Sequence, residues 1–277
     1  MSGDEPSVMS DVPRPGRTYG ESDSSVALLI AAMPEEFEPL KARLDDAHSV
    51  HLPGIHDAVV GRHGGKTILL LLSGIGLVNA AHAATVGLCL GPSVVSDGTG
   101  NDGATSDGNS DGAESQSAQP GEIGCVMSIG TAGVVPGRAS IGDVVVSEKV
   151  VPGDFDLTAF GYERGQVPGL TAGYPGDRDL LVAADAFGAK ALGFVSVDRF
   201  VGIPEAAAIR EVFPDASVVD MESSALAQTA VLHETPFISV RSVTDVIGES
   251  ETSVHLDEVD NSSVQAANAA LDILGRV

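Results

Sequence analysis

The sequence predicts a single α/β domain with three layers, in which helices cover both faces of a mixed, mainly parallel central sheet. Short apolar runs alternate with helical patterns along most of the 277 residues. Several of these runs are apolar at consecutive positions, as in strands that are covered on both faces. Repeated alternation of strands and helices is typical of sheets with largely parallel strands and helices on both sides.

Seven short apolar segments predict strands. They are 26–32, 67–72, 123–129, 143–150, 194–197, 217–219 and 237–243. Five segments predict helices, at 34–44, 76–90, 204–213, 221–233 and 262–274. Pro34 suits the first turn of its helix, because that turn does not need the missing N–H. Phe37, Leu40 and Leu44 would then share one apolar face.

Two segments are too polar to bury the apolar area that folding requires. Residues 1–24 and 93–121 are rich in Ser, Gly and acids, and the second contains no base and no aromatic residue. We therefore predict a disordered acidic tail at 1–24. The remaining residues, 25–277, form one domain that a flexible low-complexity insertion interrupts at 93–121.

Composition narrows the possible partners and locations. Asp and Glu outnumber Lys and Arg by 39 to 15, which gives a formal charge of −24 and disfavours nucleic acid and anionic membrane surfaces. The longest apolar run, 26–33, is far shorter than a membrane span of roughly 20 residues. The acidic N-terminus has no secretory signal, and Cys89 and Cys125 form neither a disulfide framework nor a metal cluster. We expect a cytoplasmic protein.

Polar residues follow several predicted strands, at the edge where open α/β sheets bind ligands. They are Glu35 and Glu36, the turn 130–133, the segment 220–222, and Asp245. Each also has a purely structural interpretation. The acids could complement or cap helix N-termini, the glycines could permit a tight turn, and Phe200 could belong to the core. From these residues alone, the sequence predicts an acidic pocket in an α/β protein.

Several motifs identify a family. The most specific is DLTAFGYERGQVP at 156–168, and AAMPEEFEPL, SIGTAG, DRFV, VDMES and SVRSVTDV support it. In this order they resemble the 5′-methylthioadenosine/S-adenosylhomocysteine nucleosidases of the purine nucleoside phosphorylase-like superfamily. The resemblance covers most of 26–275 outside the insertion, and it implies a nucleoside phosphorylase-like fold and hydrolysis of an N-glycosidic bond without a metal or cofactor.

The resemblance assigns two catalytic residues. Glu36 would activate the water that attacks C1′ of the ribose, and Asp245 would protonate or hydrogen-bond N7 of adenine. Breaking this bond builds positive charge on the sugar and negative charge on the base, so one acid must hold its proton near neutral pH. Six further residues would bind the ribose and the base: Thr131, Gly133, Phe200, Val201, Met221 and Glu222.

A separate group of residues would bind the 5′ substituent. Met33, Ile75 and Leu256 would form an apolar slot for it. Leu157, Phe160 and Tyr162 would close that slot from a neighbouring subunit, which implies a homodimer. Leu256 stands where the family often has an aromatic residue, so the preferred 5′ substituent stays open.

Two further questions follow from the resemblance. Phosphorylases of the superfamily hold phosphate with arginines, whereas 127–129 here contains no cation, so we predict hydrolysis rather than phosphorolysis. The alternatives are a nucleosidase for a futalosine-type menaquinone precursor and a non-catalytic nucleoside-binding homologue. The joint presence of Glu36, Glu222 and Asp245 argues against the second alternative.

Overall fold

The computed structural model describes residues 25–97, 121–247 and 256–277, in which ten strands form one sheet. The strands are β1 (Val26–Ala31), β2 (Asp45–Ser49), β3 (Asp57–His63), β4 (Lys66–Leu72), β5 (Ile123–Val134), β6 (Val144–Pro152), β7 (Tyr174–Pro175), β8 (Lys190–Ser196), β9 (Ala216–Asp220) and β10 (Phe237–Val246). The helices are α1 (Pro34–Lys41), α2 (Leu77–Asp97), α3 (Arg178–Phe187), α4 (Ile203–Val212), α5 (Ser223–Leu232) and α6 (Leu256–Leu274).

The sheet is mixed, and its middle contains both parallel and antiparallel pairs. Strands β6 and β8 and strands β8 and β9 run parallel, whereas β5 and β9 and also β6 and β10 run antiparallel. Strand β1 runs parallel to β4 and β5, and β5 runs parallel to β10. Strands β3 and β2 extend one edge in antiparallel fashion. Because β5 pairs with both β9 and β10, the strands β5, β10, β6, β8 and β9 form a closed ring of pairings. The predicted mixed α/β sheet is thus confirmed.

One gap in the pairing locates the edge where a ligand can approach. Strand β1 pairs with β5 only as far as Ile129, and β9 takes over the same side of β5 at Gly133. Neither β1 nor β9 pairs with 130–132. The backbone of β5 is therefore accessible to a side chain just where β1 ends.

Helices cover the two faces of the sheet as the sequence predicts. Helices α1, α3 and α6 share one apolar core with the sheet, and α2 and α5 pack together in the core on the other face. Side chains of α4 join a smaller cluster with β8 and β9. The layered architecture brings the loops that follow β1, β5, β9 and β10 to one edge.

The structure corrects the start of the predicted insertion. Helix α2 continues to Asp97, past the expected boundary at 93. Val95 is 6% exposed and Val94 packs beside it on the core, so burial of these two side chains extends the helix. The residues 98–120, like the predicted tail at 1–24, lie outside the described residues.

Four elements of the structure were not predicted from the sequence, namely strands β2, β3 and β7 and helix α3. The hairpin β2–β3 carries few apolar residues on β2, which is exposed along its whole length. Helix α3 was not predicted, although Asp177 caps its start and Gly188 ends it in a left-handed conformation. The short strand β7 pairs with β6 through two residues.

Helix α2 is also the one helix in the described part of the chain that is long and apolar enough to cross a membrane. It packs against α5 and against the strands β1, β4 and β5. Core helices of globular domains pass the same test of length and hydropathy. The packing therefore places α2 among the layers of this domain.

Candidate active site

A cavity of about 360 Å³ opens at the edge of the sheet where β1, β5, β9 and β10 end. Ten of the residues predicted from the sequence line it: Met33, Glu36, Ile75, Thr131, Gly133, Phe200, Val201, Met221, Glu222 and Asp245. The structure thus brings the two predicted catalytic carboxyl groups to one cavity. Their roles stay a prediction at this point.

Glu36 is held by the backbone on two sides. Its Oε2 accepts hydrogen bonds from the N–H groups of Ala32 and Met33, both at 3.2 Å. Its Oε1 accepts the N–H of Thr131 at 2.9 Å and lies 3.3 Å from the Thr131 hydroxyl. The two bonds to Oε2 satisfy backbone amides just before α1, which agrees with the purely structural interpretation of this acid. The bond to Oε1 satisfies the Thr131 N–H, which lies in the stretch of β5 that neither β1 nor β9 pairs with.

Gly130 makes this approach possible. A Cβ atom at Gly130 would lie 2.4 Å from Glu36 Oε1, so any side chain there would displace the carboxylate. The sequence analysis read the glycines of 130–133 as turn formers, but the described φ angles that favour glycine lie elsewhere. Gly130 instead serves close approach of a side chain to the strand.

Burial raises the pKa of the Glu36 carboxyl group. Only 4% of the residue is exposed, and loss of hydration disfavours the charged form. The positive charge of Arg241 and the backbone hydrogen bonds from Thr131, Ala32 and Met33 oppose this effect and lower the pKa. A carboxylate balanced in this way is a stronger base than an exposed one.

Glu222 lies at the start of α5 and points into the cavity. Its Oε1 accepts the N–H of Gly76 at 3.1 Å, and its Oε2 lies 3.8 Å from Arg241 Nη2. Burial and the negative charge of Asp220 raise the pKa of Glu222 to about 7, against the lowering effect of Arg241. Glu222 does not cap the helix with its side chain, contrary to the structural interpretation.

Asp245 lies near the end of β10, where the register against β5 shifts between Val243 and Asp245. Irregularities of this kind often redirect side chains beside active sites. The Thr244 hydroxyl donates to Asp245 Oδ1 at 3.0 Å, and a Cβ atom at Gly133 would lie 2.8 Å from Oδ2. Burial raises the pKa of Asp245, which favours the protonated acid.

Glu36 and Asp245 approach the same stretch of β5. Glu36 touches Thr131, and Asp245 lies against Gly133, two residues further along the strand. Both carboxyl groups line the same cavity of about 360 Å³.

Arg241 is the residue that the sequence analysis missed. It is 2% exposed, and its Nη2 donates to Ser128 Oγ at 2.8 Å and to Asp220 Oδ2 at 3.1 Å. Its Nε and Nη1 have no hydrogen-bond partner among the described residues. A single cation inside the apolar run FISVRSV was the available signal, because buried strands rarely carry an unpaired charge.

Arg241 places a cation next to the segment 127–129, which was predicted to lack one. The sequence 127–129 contains none, but β10 brings the Arg241 guanidinium beside Ser128. A second arginine, Arg199, lines the mouth of the cavity and forms an ion pair with Asp154. Both arginines are thus paired with an aspartate.

The apolar part of the cavity is open to solvent in the single chain. Phe200 is 78% exposed and Ile75 is 51% exposed, while Val201 is buried. Leu256 begins α6, and its side chain lies outside the described residues.

Leu157, Phe160 and Tyr162 do not line the cavity of their own chain. They lie on the segment around a short 3-10 helix, Thr158–Phe160, and Phe160 is 77% exposed. This is consistent with the expectation that these side chains serve a neighbouring subunit, which stays a prediction.

The polar side chains of the site are mainly carboxyl groups. Within the residues that the structure describes, no three His, Cys, Asp or Glu side chains are grouped to hold an ion. Carboxyl groups with raised pKa in one cavity are instead typical of acid–base catalysis, as in enzymes that cleave glycosidic bonds. Fold and site together indicate an enzyme of the glycosidase class that is built on a layered α/β fold.

Comparison with known proteins agrees with this class. The Phosphorylase superfamily profile matches residues 27–277. The 5′-methylthioadenosine/S-adenosylhomocysteine nucleosidase of Marinomonas sp. (strain MWYL1) is 36% identical over 81% of this chain and 87% of its own length. This chain belongs to that nucleosidase family within the superfamily, which confirms the resemblance and the assignment as an N-glycosidase.

Solved structures agree as well. The nucleosidase of Colwellia psychrerythraea 34H in complex with adenine has a TM-score of 0.75 at 29% identity, covering 91% of this chain and 96% of that one. The Neisseria meningitidis enzyme in complex with methylthio-immucillin-A has a TM-score of 0.73 at 30% identity, covering 91% and 100%. Futalosine hydrolase of Helicobacter pylori, at 20% identity, shares the fold with a TM-score of 0.75 over 92% of this chain and 99% of its own.

Proposed function

We propose that this protein hydrolyses the N-glycosidic bond of 5′-methylthioadenosine and S-adenosylhomocysteine, releasing adenine and the 5-thioribose product. The observation that carries the proposal is the meeting of Glu36, Glu222 and Asp245 at one cavity. The names of similar nucleosidases, and the adenine and methylthio-immucillin-A in two of their structures, support the substrate class.

Asp245 acts on the leaving base. Burial raises the pKa of Asp245 and so favours the protonated acid, and the hydrogen bond from Thr244 to Oδ1 leaves Oδ2 for N7 of adenine. Donation to N7 stabilises the negative charge that develops on the purine as the bond breaks.

Glu36 acts on the attacking water. The amides of Ala32, Met33 and Thr131 fix its carboxylate, so the base is oriented before the substrate arrives. The carboxylate accepts a proton as the water attacks C1′, and its negative charge stabilises the oxocarbenium-like ribosyl ring.

Glu222 and Met221 bind the sugar, and Phe200 and Val201 bind the base. A carboxylate at Glu222 accepts hydrogen bonds from the 2′ and 3′ hydroxyls, and these bonds strengthen as positive charge develops on the ring. The exposed ring of Phe200 offers a face on which the purine stacks. Thr131 and Gly133 line the ribose and water side, and Met33, Ile75 and Leu256 border the 5′-thio group.

Water is a better nucleophile than phosphate at this site. Glu36 occupies the attacking side, and a second anion there would be repelled. The two arginines nearest the cavity, Arg199 and Arg241, are each engaged by an aspartate, Asp154 and Asp220. We therefore infer hydrolysis, with no requirement for phosphate.

A homodimer is part of the proposal. Val78 and Leu232 are 77% and 62% exposed, and they line an apolar groove that also includes Phe155. A second copy seated on this groove would cover these side chains and bring Leu157, Phe160 and Tyr162 to the open 5′ slot. The strong negative charge argues against nucleic acid or membrane partners, and a cytoplasmic location stays a prediction.

The test is to incubate the purified protein with methylthioadenosine, S-adenosylhomocysteine and a futalosine-type nucleoside, and to measure the free base. We expect adenine from the first two substrates at a rate that added phosphate does not change. Faster release from the futalosine-type nucleoside would favour that alternative. Dependence on phosphate would indicate phosphorolysis, and binding without any base release would indicate a non-catalytic homologue.

A further inference from the structure

A carboxylate whose two oxygens both accept hydrogen bonds lies in the wall of the cavity, at Asp220. The residue ends β9 and is 6% exposed. Its Oδ1 accepts the Ser196 hydroxyl at 2.5 Å and the Ser223 N–H at 3.3 Å. Its Oδ2 accepts the Ser223 hydroxyl and Arg241 Nη2. Four donors from three elements thus converge on one buried anion.

The first consequence concerns the start of α5. The Ser223 N–H is satisfied by Asp220, and the Ser224 N–H is satisfied by Ser196 Oγ at 2.8 Å. Glu222 occupies the N-cap position but makes no cap bond with its side chain. Because Asp220 and Ser196 satisfy the amides of the first turn, the Glu222 carboxylate is free to turn into the cavity, where it accepts the Gly76 N–H.

The second consequence concerns Arg241. Its Nη2 is shared by Asp220, Ser128 and Ser223, so the hydrogen bonds of this nitrogen go to these three residues. The 3.8 Å gap between Arg241 Nη2 and Glu222 Oε2 is too long for a hydrogen bond. Asp220 therefore takes the direct contact with the cation and leaves Glu222 free for another acceptor role.

We propose that Asp220 is a positioning residue of the reaction, which holds the start of α5 and Arg241 so that the Glu222 carboxylate faces the ribose. It acts through Glu222 and Arg241. The proposal rests on the proposed nucleosidase function, because it concerns how the same site holds the sugar hydroxyls.

The charges around Glu222 give this role a measurable signature. The charged groups around Glu222 are Asp220 on β9, Arg241 and Asp245 on β10, Glu35 and Glu36 on α1, and Asp198 and Arg199 after β8. The negative charge of Asp220 raises the pKa of Glu222, whereas Arg241 lowers it. Neutralising Asp220 should therefore lower the pKa of Glu222 and move the acid limb of the kcat/KM profile to lower pH.

The experiment compares Asp220→Asn with Asp220→Glu and with wild type, using methylthioadenosine as substrate. We expect Asp220→Asn to lose about tenfold or more in kcat, because it loosens Glu222 and Arg241, and to shift the acid limb downward. Asp220→Glu restores the charge, so most of the kcat and the original acid limb should return. Ser147→Ala is the control, since Ser147 is buried nearby and bonds to Ser239 N–H without touching Asp220.

The outcomes separate the possible failures. A wild-type protein that releases no base contradicts the proposed function and not this inference. With an active wild type, an Asp220→Asn enzyme that loses only thermal stability, with kcat and acid limb unchanged, overturns the positioning role. If Asp220→Asn does not fold, Arg241→Lys takes its place, because it keeps the charge but loses the shared hydrogen bonds. Wild-type kcat in Arg241→Lys would equally overturn the inference.

Discussion

Three of the carboxyl groups that line the cavity are proposed to act on the substrate, and each is held differently by the residues around it. Glu36 is fixed by backbone amides, Glu222 by one amide, and Asp245 by a neighbouring hydroxyl. Burial raises the pKa of all three, but only Arg241 brings a compensating charge, to Glu36 and Glu222. Glu36 thus receives a compensating positive charge that Asp245 lacks, and differences of this kind distinguish a base from an acid within one site.

The role of Asp245 leads to the first prediction. Asp245→Asn keeps the shape and can still donate a hydrogen bond to N7, but it cannot transfer a proton. We expect kcat to fall by about 10²–10⁴-fold, the usual contribution of a general acid. Affinity for an unreactive substrate analogue should change little, which isothermal calorimetry can measure. Wild-type turnover in this variant would refute the assigned role.

Gly130 leads to the second prediction. In Gly130→Ala the new Cβ atom would lie 2.4 Å from Glu36 Oε1, so the carboxylate must leave its bonds to Thr131. A displacement of about 1 Å in a catalytic group can cost on the order of 10²-fold in rate. Steady-state kinetics should show a loss in kcat.

The matched control is Gly91→Ala in α2, whose Cβ atom would lie 2.7 Å from Leu69 Cδ2. That clash lies in the core, so it should affect thermal stability and leave kcat unchanged. Equal kinetic losses in both variants would indicate a general packing defect and not a displaced base.

At the residue scale, the site residues that could be predicted from the sequence are those that stand in recognisable motifs. Glu36, Glu222 and Asp245 follow strand ends, where the sheet edge and the resemblance both point. Arg241 and Asp220 could not be paired from the sequence, because Arg241 on β10 and Asp220 on β9 are brought together by the closed ring of strands. Contacts of this kind depend on topology, which local patterns do not reveal.

At the scale of elements, apolar segments predicted most strands but placed their ends imperfectly. Strand β5 was expected to end at 129 and continues to Val134, because its later residues pair with β9 and β10. Helix α3 was missed despite its signals, a capping aspartate at Asp177 and a left-handed glycine at Gly188. Apolar periodicity alone did not identify α3, but the two cap residues would have located its start and its end.

The course of α2 leads to the third prediction. The helix starts after the carboxyl end of β4 and leads to the amino end of β5, so its last residues lie away from the candidate site. We expect a chain in which a Gly–Ser linker replaces 98–120 to keep its kcat and KM. The assay is adenine release, with circular dichroism as the control for folding. A folded but inactive variant would show that these residues serve the site.

At the scale of the whole molecule, a buried acid links the site to stability. The pKa of Glu222 rises from 4.5 to about 7 on folding, so the native state holds its proton more tightly than the unfolded chain. The stabilising effect is fully present below pH 4.5 and is lost as pH rises through about 7. Over that pH range the free energy of unfolding of wild type should fall by about 3 kcal/mol through this effect. A variant with a neutral side chain at position 222 should not show this loss.

The fourth prediction follows from this difference. Glu222→Gln should gain stability relative to wild type as pH is raised from 4 to 8, measured by urea unfolding at each pH. The exposed Glu148→Gln is the control and should follow wild type. A constant difference between Glu222→Gln and wild type at all pH values would contradict the raised pKa.

The proposed homodimer makes a prediction that only an assembly of two chains can satisfy. If Phe160 completes the site of the partner subunit, then Phe160→Arg blocks that site, whereas Asp245→Asn disables its own. Each variant alone should be inactive. A mixture that exchanges subunits forms heterodimers with one intact site. Activity should then recover to about one quarter of wild type, because half of the dimers are mixed and half of their sites are intact.

Mixing Asp245→Asn with Glu36→Gln is the control, since both residues act within one chain and no intact site can form. Recovery in the first mixture and none in the second, measured as adenine release, would establish sites shared between subunits, and a monomer in sedimentation experiments would contradict them.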